Sequence, residues 1–384
     1  MRYKKVFDKN FIDSLPSFDK FSNSAVVALC KRKEPSIKAF RAQIEKWFLN
    51  LPDQEKNDMC SRLRSKDDKQ HLSAFYELLF HQYCLEEGWE VSKHPSVGSQ
   101  TPDFLITTQN GTEFFLEVAT LMDKEETKRN EERFNNLLRK INKIETDFLV
   151  SVHLRKWLKE EVNYTAVVKK IENWLKTLVP KDKAHYEIEV DESGFCGSID
   201  ASYYVGLKPK SGCVYAWSPP GFSGNPFIQQ VRTAIRGKIK RYKFIKKEKK
   251  PFVIAICSSG GFMLDKTAID NALYGHIVIS WNVNNPKGET RVHRDQSGLI
   301  TPNPGLLGQP QNTRLSAVIF CARIWDKERM LYNMRVFHNP WSTVKLPVEI
   351  FSKIPQLVEV KEKKKKGYIT LKWVNDRKQF IVFK

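Results

Sequence analysis

Glu77, Asp103 and Glu117 are the residues whose types and surroundings predict chemistry. Glu117 stands in the apolar segment FFLEVAT, whose alternation predicts a strand. An ionised carboxylate in such a strand is costly to bury unless a cation or strong hydrogen-bond donors meet it, and a second carboxylate beside it strengthens the case for a divalent metal. Ligation by oxygen alone favours Mg²⁺ or Mn²⁺ over zinc. The three acids therefore predict a metal site.

The turn between the Asp103 and Glu117 segments decides whether these two acids meet. The QNG sequence at 109–111 suits a three-residue hairpin loop with the glycine in the left-handed conformation and a one-residue bulge. This register sets Asp103 directly across from Glu117. A two-residue NG turn would pair Asp103 with Val118 instead and place the two acids on opposite faces of the sheet.

Glu77 belongs to the predicted helix HLSAFYELLFHQYCLEEG, which precedes the hairpin. From there it could reach a metal directly or through water, or it could be a partly exposed helix glutamate. The other two acids also have a structural alternative, in which Asp103 is a turn residue after Pro102 and Glu117 pairs with a lysine across the sheet. We favour the metal site over this structural alternative, and the two roles of Glu77 both stay open.

This segment resembles the PD-(D/E)XK nuclease superfamily, which has the restriction-endonuclease-like fold. The match consists of Glu77, Pro102-Asp103 and Glu117-Val118-Ala119, in the order helix, Pro-Asp strand, Asn-Gly turn and Glu strand. The resemblance covers about fifty residues. It implies an α/β fold with an αβββαβ core, and a Mg²⁺-dependent or Mn²⁺-dependent endonuclease in which the three acids hold the metal and are catalytic.

One element of the family motif is missing, because Ala119 stands where the family has lysine. Lys238 is the preferred substitute, since it lies on a predicted basic helix, IRGKIKRYKF, that runs into an apolar strand. This Lys-x-x-x-Tyr helix resembles the auxiliary Gln-x-x-x-Tyr helix of some branches of the superfamily. Lys124 and Lys128, soon after the Glu117 strand, are local alternatives. The lysine would orient the attacking water or stabilise the anionic transition state of phosphodiester hydrolysis.

The resemblance implies DNA as substrate more than RNA, and a role in bacterial antiviral defence or DNA processing. A different class of function stays open: a protein that kept the fold, lost catalysis and binds nucleic acid or regulates a partner. Ala119 is the residue that favours this alternative. A protein-interaction scaffold is a third hypothesis, and it predicts no salt-dependent binding of nucleic acid.

Composition supports a phosphate-rich partner, because 64 Lys and Arg against 44 Asp and Glu give a formal net charge of +20. Such a surface attracts polyanions, and phosphate contacts make binding salt-dependent. Basic runs occur at 238–250 and 361–366, although a solvated loop is the favoured interpretation of the second run. The segment 281–311 is predicted to be a long loop, either functional or simply mobile. The residues predicted to contact nucleic acid are Lys240, Arg241, Tyr242, Arg291 and Arg294.

The predicted organisation is a helical cap over 1–66, a nuclease-like core with an insertion over 67–260, and a β-rich region over 261–384. A strand at 148–154 is expected to follow a helix and lie parallel to the Glu117 strand. Whether the strand at 252–256 completes the same sheet or starts a second domain is left open by the sequence. The proposal for Lys238 requires the first alternative.

No run approaches the roughly 18 apolar residues that cross a membrane, and the N-terminus lacks the apolar centre of a secretory signal. We therefore expect a cytoplasmic protein. Its seven scattered cysteines include no Cys-x-x-Cys pair, which predicts reduced thiols and no zinc site. A homodimer or a partner subunit is compatible with the family, and the sequence shows no interface.

Overall fold

The structure is a computed structural model of the 384-residue chain. It describes residues 3–21, 24–122, 125–206, 209, 212–220, 226–258, 266–280, 291–302, 309–326, 329–360, 370–376 and 381. The basic run at 361–366 and most of the 281–311 loop lie outside these described residues. Within them, the chain is mixed α/β with several sheets.

The helices and strands alternate irregularly along the chain. The helices are α1 (Lys9–Ser14), α2 (Ala25–Lys31), α3 (Pro35–Leu49), α4 (Asp53–Leu63), α5 (Asp68–Glu86), α6 (Glu125–Ile141), α7 (Tyr164–Thr177), α8 (Pro226–Arg241) and α9 (Lys266–Tyr274). The strands are β1 (Glu90–Lys93), β2 (Phe104–Thr107), β3 (Glu113–Leu121), β4 (Leu149–Leu154), β5 (Ala184–Glu192), β6 (Phe195–Tyr203), β7 (Val214–Ser218), β8 (Phe252–Ser258), β9 (Ile277–Ser280), β10 (Arg291–Arg294), β11 (Ala317–Asp326), β12 (Arg329–His338), β13 (Gln356–Val360) and β14 (Thr370–Val374). Short 3-10 helices cover Lys243–Glu248 and Val348–Phe351.

The chain divides into two compact units. Unit 1 consists of residues 1–18, 24–122 and 225–384, and unit 2 of residues 19–23 and 123–224. Unit 2 is therefore an insertion between β3 and α8, apart from its short N-terminal piece. The predicted boundaries at 66 and 260 both fall inside unit 1.

Unit 1 is built on an eight-stranded sheet with the order β1-β2-β3-β8-β11-β12-β13-β14. β3, β8 and β11 are mutually parallel, and antiparallel strands flank them on both sides. The strand at 252–256 therefore belongs to β8 in the same sheet as Glu117, as the proposal for Lys238 requires. The strands β11 to β14 of the C-terminal region continue this sheet, and β11 pairs antiparallel with β12.

The prediction that residues 148–154 lie parallel to the Glu117 strand was wrong. β4 belongs to the four-stranded sheet of unit 2, in the order β5-β6-β4-β7, and β8 is the parallel neighbour of β3. A helix followed by an apolar strand fits either sheet, because the crossover rule fixes handedness and not which strand is reached. β5 and β6 form an antiparallel hairpin, and α6 and α7 share a hydrophobic core with that sheet.

Two hydrophobic clusters cover the two faces of the unit 1 sheet. Phe114, Leu116 and Val118 of β3 pack in one cluster with apolar residues of α2 to α5. Phe115 and Ala119 pack in the other with α8 and α9. The predicted alternation of β3 is confirmed. Glu117 lies on the same face of the sheet as Phe115 and Ala119, the face that α8 covers.

The hairpin loop between β2 and β3 has the three-residue form. Phe104 pairs with Leu116, and the Thr108 amide donates to the Thr112 carbonyl across the loop. Gly111 has a φ of 79°, in the left-handed region. Continuing the same register one residue beyond β2 sets Asp103 opposite Glu117. The two-residue turn is thus excluded, and the register on which the metal-site hypothesis depends is confirmed.

All seven cysteines are free thiols, and six of them are buried. Among the helices of the described residues, none has both the length and the apolar character that crossing a bilayer requires.

Gly111→Ala should lower the free energy of unfolding by about 1 kcal/mol, because an L-residue in the left-handed region carries roughly that backbone cost. No described atom lies within 4 Å of the added Cβ, so a clash adds nothing. Gly111→Asn should lower the free energy of unfolding by less, since asparagine tolerates the left-handed conformation. Urea unfolding measures both variants, and equal stability of wild type and Gly111→Ala would contradict the loop geometry.

Candidate active site

Asp103 and Glu117 are joined by reciprocal hydrogen bonds. The Asp103 amide donates to Glu117 Oε2 at 3.1 Å, and the Val118 amide donates to Asp103 Oδ2 at 2.7 Å. Each carboxylate therefore caps a main-chain amide just where regular pairing of the two strands ends. The strands hold both acids in place through backbone atoms, so their separation depends little on side-chain freedom.

Glu117 is almost completely buried, with 1% of its surface exposed, and Lys238 provides its cation. Lys238 Nζ donates to Glu117 Oε1 at 2.5 Å, and a quarter of the lysine side chain is exposed. α8 delivers it because Ile235 and Ile239 anchor the helix in the hydrophobic cluster beside β3. Lys238 lies at the edge of that buried face. Glu117 does pair with a lysine, as the structural alternative held, but from a helix and not across the sheet.

Tyr242 lies one helical turn after Lys238 and is also close to Glu117. It is 1% exposed, and its hydroxyl donates to the Thr101 carbonyl at 3.3 Å. Burial, followed by the charge of Glu117 and a hydrogen bond to it, raises the pKa of the Tyr242 hydroxyl above its usual 10. The prediction that Tyr242 contacts nucleic acid was wrong, because the side chain is buried against the acid pair.

Asp103 carries the most strongly shifted carboxyl of the site. Burial, then the neighbouring charges of Glu117 and Glu77, raises its pKa from 3.8 to about 7. The amide of Val118 and the charge of Lys238 act in the opposite direction. The site therefore holds more negative charge than its own cations neutralise, which is the condition that a bound divalent cation would relieve.

Glu77 is 5% exposed, so the alternative of a partly exposed helix glutamate was wrong. Arg62 on α4 grips it with two donors: Nη1 donates to Oε2 at 2.8 Å, and Nη2 donates to Oε1. Ser73 adds a longer hydrogen bond at 3.4 Å. Glu77 lies close enough to raise the pKa of Asp103. Sequence reasoning missed Arg62, because nothing in its local sequence separates it from the other basic residues.

The residues present fit a hard divalent cation in donor type and in charge. Within the described part of the chain, no group of three or more His, Cys, Asp or Glu is already arranged to hold a metal ion. Asp103 and Glu117 are two oxygen donors side by side, and Mg²⁺ is commonly bound by one or two carboxylates together with substrate phosphate and water. The binding of Mg²⁺ or Mn²⁺ here stays a prediction.

The remaining predicted residues lie apart from the acid pair or are already engaged. Arg294 donates to Asp270 at 2.7 Å and to the Gly275 carbonyl, so its charge has a structural partner. Lys128 pairs with Glu125 in unit 2. Lys240 and Arg241 are exposed on α8. Lys124 and the side chain of Arg291 lie outside the described residues.

Asp103→Asn should change how stability depends on pH in protein treated with EDTA. A carboxyl whose pKa is higher in the folded state loses stability as pH rises from about 4 to about 7. One pKa unit corresponds to about 1.4 kcal/mol, so the variant should exceed wild type by roughly 1 to 3 kcal/mol at pH 8 and by little at pH 4. Urea unfolding across this range is the measurement, with the exposed Glu90→Gln as control. Parallel pH profiles for wild type and Asp103→Asn would contradict the raised pKa.

Lys238→Met should destabilise metal-free protein by about 3 to 5 kcal/mol, because it leaves a buried carboxylate without its cation. Combining it with Glu117→Gln removes both charges and should restore much of the loss. A double-mutant cycle by urea unfolding measures the coupling. Additive losses would show that the two charges do not interact in solution.

Comparisons with known proteins assign the chain to no family. No family model matches it, and neither a curated protein nor a solved structure matches it. The function of this site therefore has to be inferred from its own residues, their burial and their hydrogen bonds.

Proposed function

We propose that the protein is a metal-dependent endonuclease that hydrolyses phosphodiester bonds, of DNA more than RNA, with Asp103, Glu117 and Lys238 as its catalytic residues. The observation that carries the proposal is the contact of Lys238 Nζ with the buried carboxylate of Glu117, beside Asp103. Ala119 removes the lysine of the family motif, and Lys238 brings an ammonium group to the same carboxylate from a different element.

The order of elements in unit 1 supports a restriction-endonuclease-like core. α5, β1, β2, β3, α8 and β8 follow one another as αβββαβ once unit 2 is set aside as an insertion. β1, β2 and β3 form an antiparallel meander, and β8 lies parallel to β3. The crossover from β3 to β8 includes α8, the helix that carries Lys238.

The distribution of charge supports a polyanionic substrate for unit 1. Unit 1 contains 46 Lys and Arg against 27 Asp and Glu, whereas unit 2 contains 18 against 17. Nearly all of the net charge of +20 therefore belongs to the unit that contains the acid pair. Long-range attraction of this kind raises the local concentration of a phosphate-rich substrate.

In the proposed reaction, water adds to phosphorus and one P–O ester bond breaks, which leaves a phosphate on one fragment and a hydroxyl on the other. Asp103 and Glu117 would hold Mg²⁺ or Mn²⁺, which when bound lowers the pKa of a coordinated water and neutralises phosphate charge. Lys238 carries a fixed positive charge toward the anionic transition state. Tyr242 is a positioning residue, because its buried hydroxyl donates to the Thr101 carbonyl close to Glu117.

Glu77 has a narrower role in this proposal than the family resemblance implies. Its charge is already neutralised by two hydrogen bonds from the Arg62 guanidinium, so Glu77 attracts a metal ion less strongly than Asp103, which has no ion pair among the described residues. We assign Glu77 to the electrostatics of the site, through its effect on the pKa of Asp103.

A catalytically inactive nucleic-acid-binding protein is the second candidate. Ala119 and the engagement of Glu117 by Lys238 favour it, because a carboxylate neutralised by lysine needs no metal. The two candidates differ in what Asp103 does. In the enzyme, Asp103→Asn removes cleavage while it keeps or tightens binding; in the binding protein it changes little.

Supercoiled plasmid and linear DNA, incubated with the protein in Mg²⁺ or Mn²⁺ at low salt, test the proposal. We expect nicking that EDTA and Asp103→Asn abolish and that Lys238→Met lowers by about a hundredfold, since loss of one preorganised charge typically has that effect. Glu113→Gln and Lys250→Met are matched controls. Lys250 Nζ and Glu113 Oε2 form another ion pair between a lysine and β3, 3.0 Å long, and neither residue belongs to the acid pair. Intact DNA with clear binding would support the inactive candidate. Nicking that survives Asp103→Asn would rule out this site.

A further inference from the structure

Gly237 lies in the interior of α8, where glycine is unfavourable. In an exposed helix interior it costs about 1 kcal/mol relative to alanine. Two structural reasons for such a glycine are absent here. Its φ is not in the left-handed region, and no described atom lies within 4 Å of an added Cβ. The fold of the described residues therefore does not require glycine at this position.

Gly237 is surrounded by cations. Lys238 follows it in the chain, and Lys240 and Arg241 lie three and four residues ahead, which makes them its neighbours on the helix surface. Successive residues of a helix are rotated by about 100° around its axis. Arg241 therefore lies about 60° and Gly237 about 100° around the axis from Lys238, in the direction away from the buried face. Gly237, Lys240 and Arg241 are all exposed. We call these three residues the Gly237 strip.

The cations of the strip have no acidic partner among the described residues. No ion pair within the described chain involves Lys240 or Arg241, whereas Arg232 on the same helix donates to the Asn271 and Ala272 carbonyls. Arg236 and Lys240 are like charges at i and i+4, an arrangement that destabilises a helix. Arg241 lies over the ring of Tyr242 at 5.5 Å, which leaves its positive charge without an anion among the described residues. Glycine and cations without an anionic partner both oppose helix stability, so a bound anion is the simplest physical reason for both.

We propose that the Gly237 strip is the docking surface on which the sugar–phosphate backbone of a nucleic acid lies against α8. Lys240 and Arg241 contact phosphates, and the bare main chain at Gly237 lets the backbone approach the helix more closely than any side chain would allow. The strip begins beside Lys238, so a strand that follows it reaches the acid pair. This inference deepens the proposed nuclease function and rests on it.

The strip also predicts the kind of binding. Its two cations stand on an exposed helix face. Contacts of lysine and arginine with phosphates fix the position of a nucleic-acid backbone without distinguishing bases. We therefore expect binding that is independent of sequence and strongly dependent on salt.

Gly237→Ala and Gly237→Leu separate docking from structure. Both variants should unfold at the same or higher temperature than wild type, because both residues are better helix formers than glycine. Both should bind a fluorescent oligonucleotide more weakly in EDTA, with the dissociation constant raised by a few fold for alanine and on the order of tenfold for leucine, about 1.4 kcal/mol. Thr165→Leu, at an exposed position of α7, is the matched control and should leave affinity unchanged.

The charge of the strip is tested by the double variant Lys240→Gln and Arg241→Gln. The slope of log affinity against log salt should fall by about 2, because each phosphate contact contributes about 0.9. Lys156→Gln with Lys159→Gln, two exposed lysines of unit 2, is the control and should keep the wild-type slope.

Unchanged affinity in both Gly237 variants, or an unchanged slope in the double variant, would overturn the proposal. The proposal would also be overturned if the double variant lost affinity for phosphatidylglycerol vesicles but kept its affinity for the oligonucleotide. Binding is measured without metal, so these outcomes do not depend on cleavage. If the strip variants bind oligonucleotide more weakly than wild type, but wild type never cleaves DNA, the docking surface is supported and the nuclease function is rejected.

Discussion

The burial of one carboxylate in the middle of a sheet is the constraint on which this protein depends. Glu117 is 1% exposed on a central strand, and an unpaired charge there would cost several kcal/mol. Its own strand offers no cation, since the neighbour on the same face is Ala119. α8 must therefore pack against β3 closely enough for Lys238 to reach, and β8 must follow beside β3 to give that helix a surface. One buried charge thus explains the arrangement of a strand, a helix and the next strand.

The acids and the lysine of the site are held in different ways. Asp103 and Glu117 are fixed through main-chain amides, so the backbone of the hairpin defines their geometry. Lys238 arrives on a side chain that is a quarter exposed, at the edge of the helix. Asp103 and Lys238 are both partly exposed, so both are open to a ligand from solvent, whereas Glu117 lies buried between β3 and α8.

Local chemistry made the hairpin predictable, and long-range connectivity limited the rest. The QNG sequence fixes a loop of three residues, and the period of two then assigns every side chain of β3 to its face. Lys238 could be singled out because a basic helix runs into an apolar strand. Arg62 and the burial of Tyr242 could not be found, because both depend on how separate helices pack. The sheet to which β4 belongs was also beyond reach, since apolar strands of equal length suit either sheet.

The insertion of unit 2 has a consequence for how the chain folds during synthesis. Glu117 and Lys238 are 121 residues apart in sequence, so the ribosome makes residues 123–224, nearly all of unit 2, between them. Until β8 emerges, β3 is an edge strand with an acidic residue on its apolar face, and its open edge can pair with other chains. A neutral, separately compact unit 2 can fold in this interval. The ion pair of Glu117 and Lys238 can form only after residue 238 has been made.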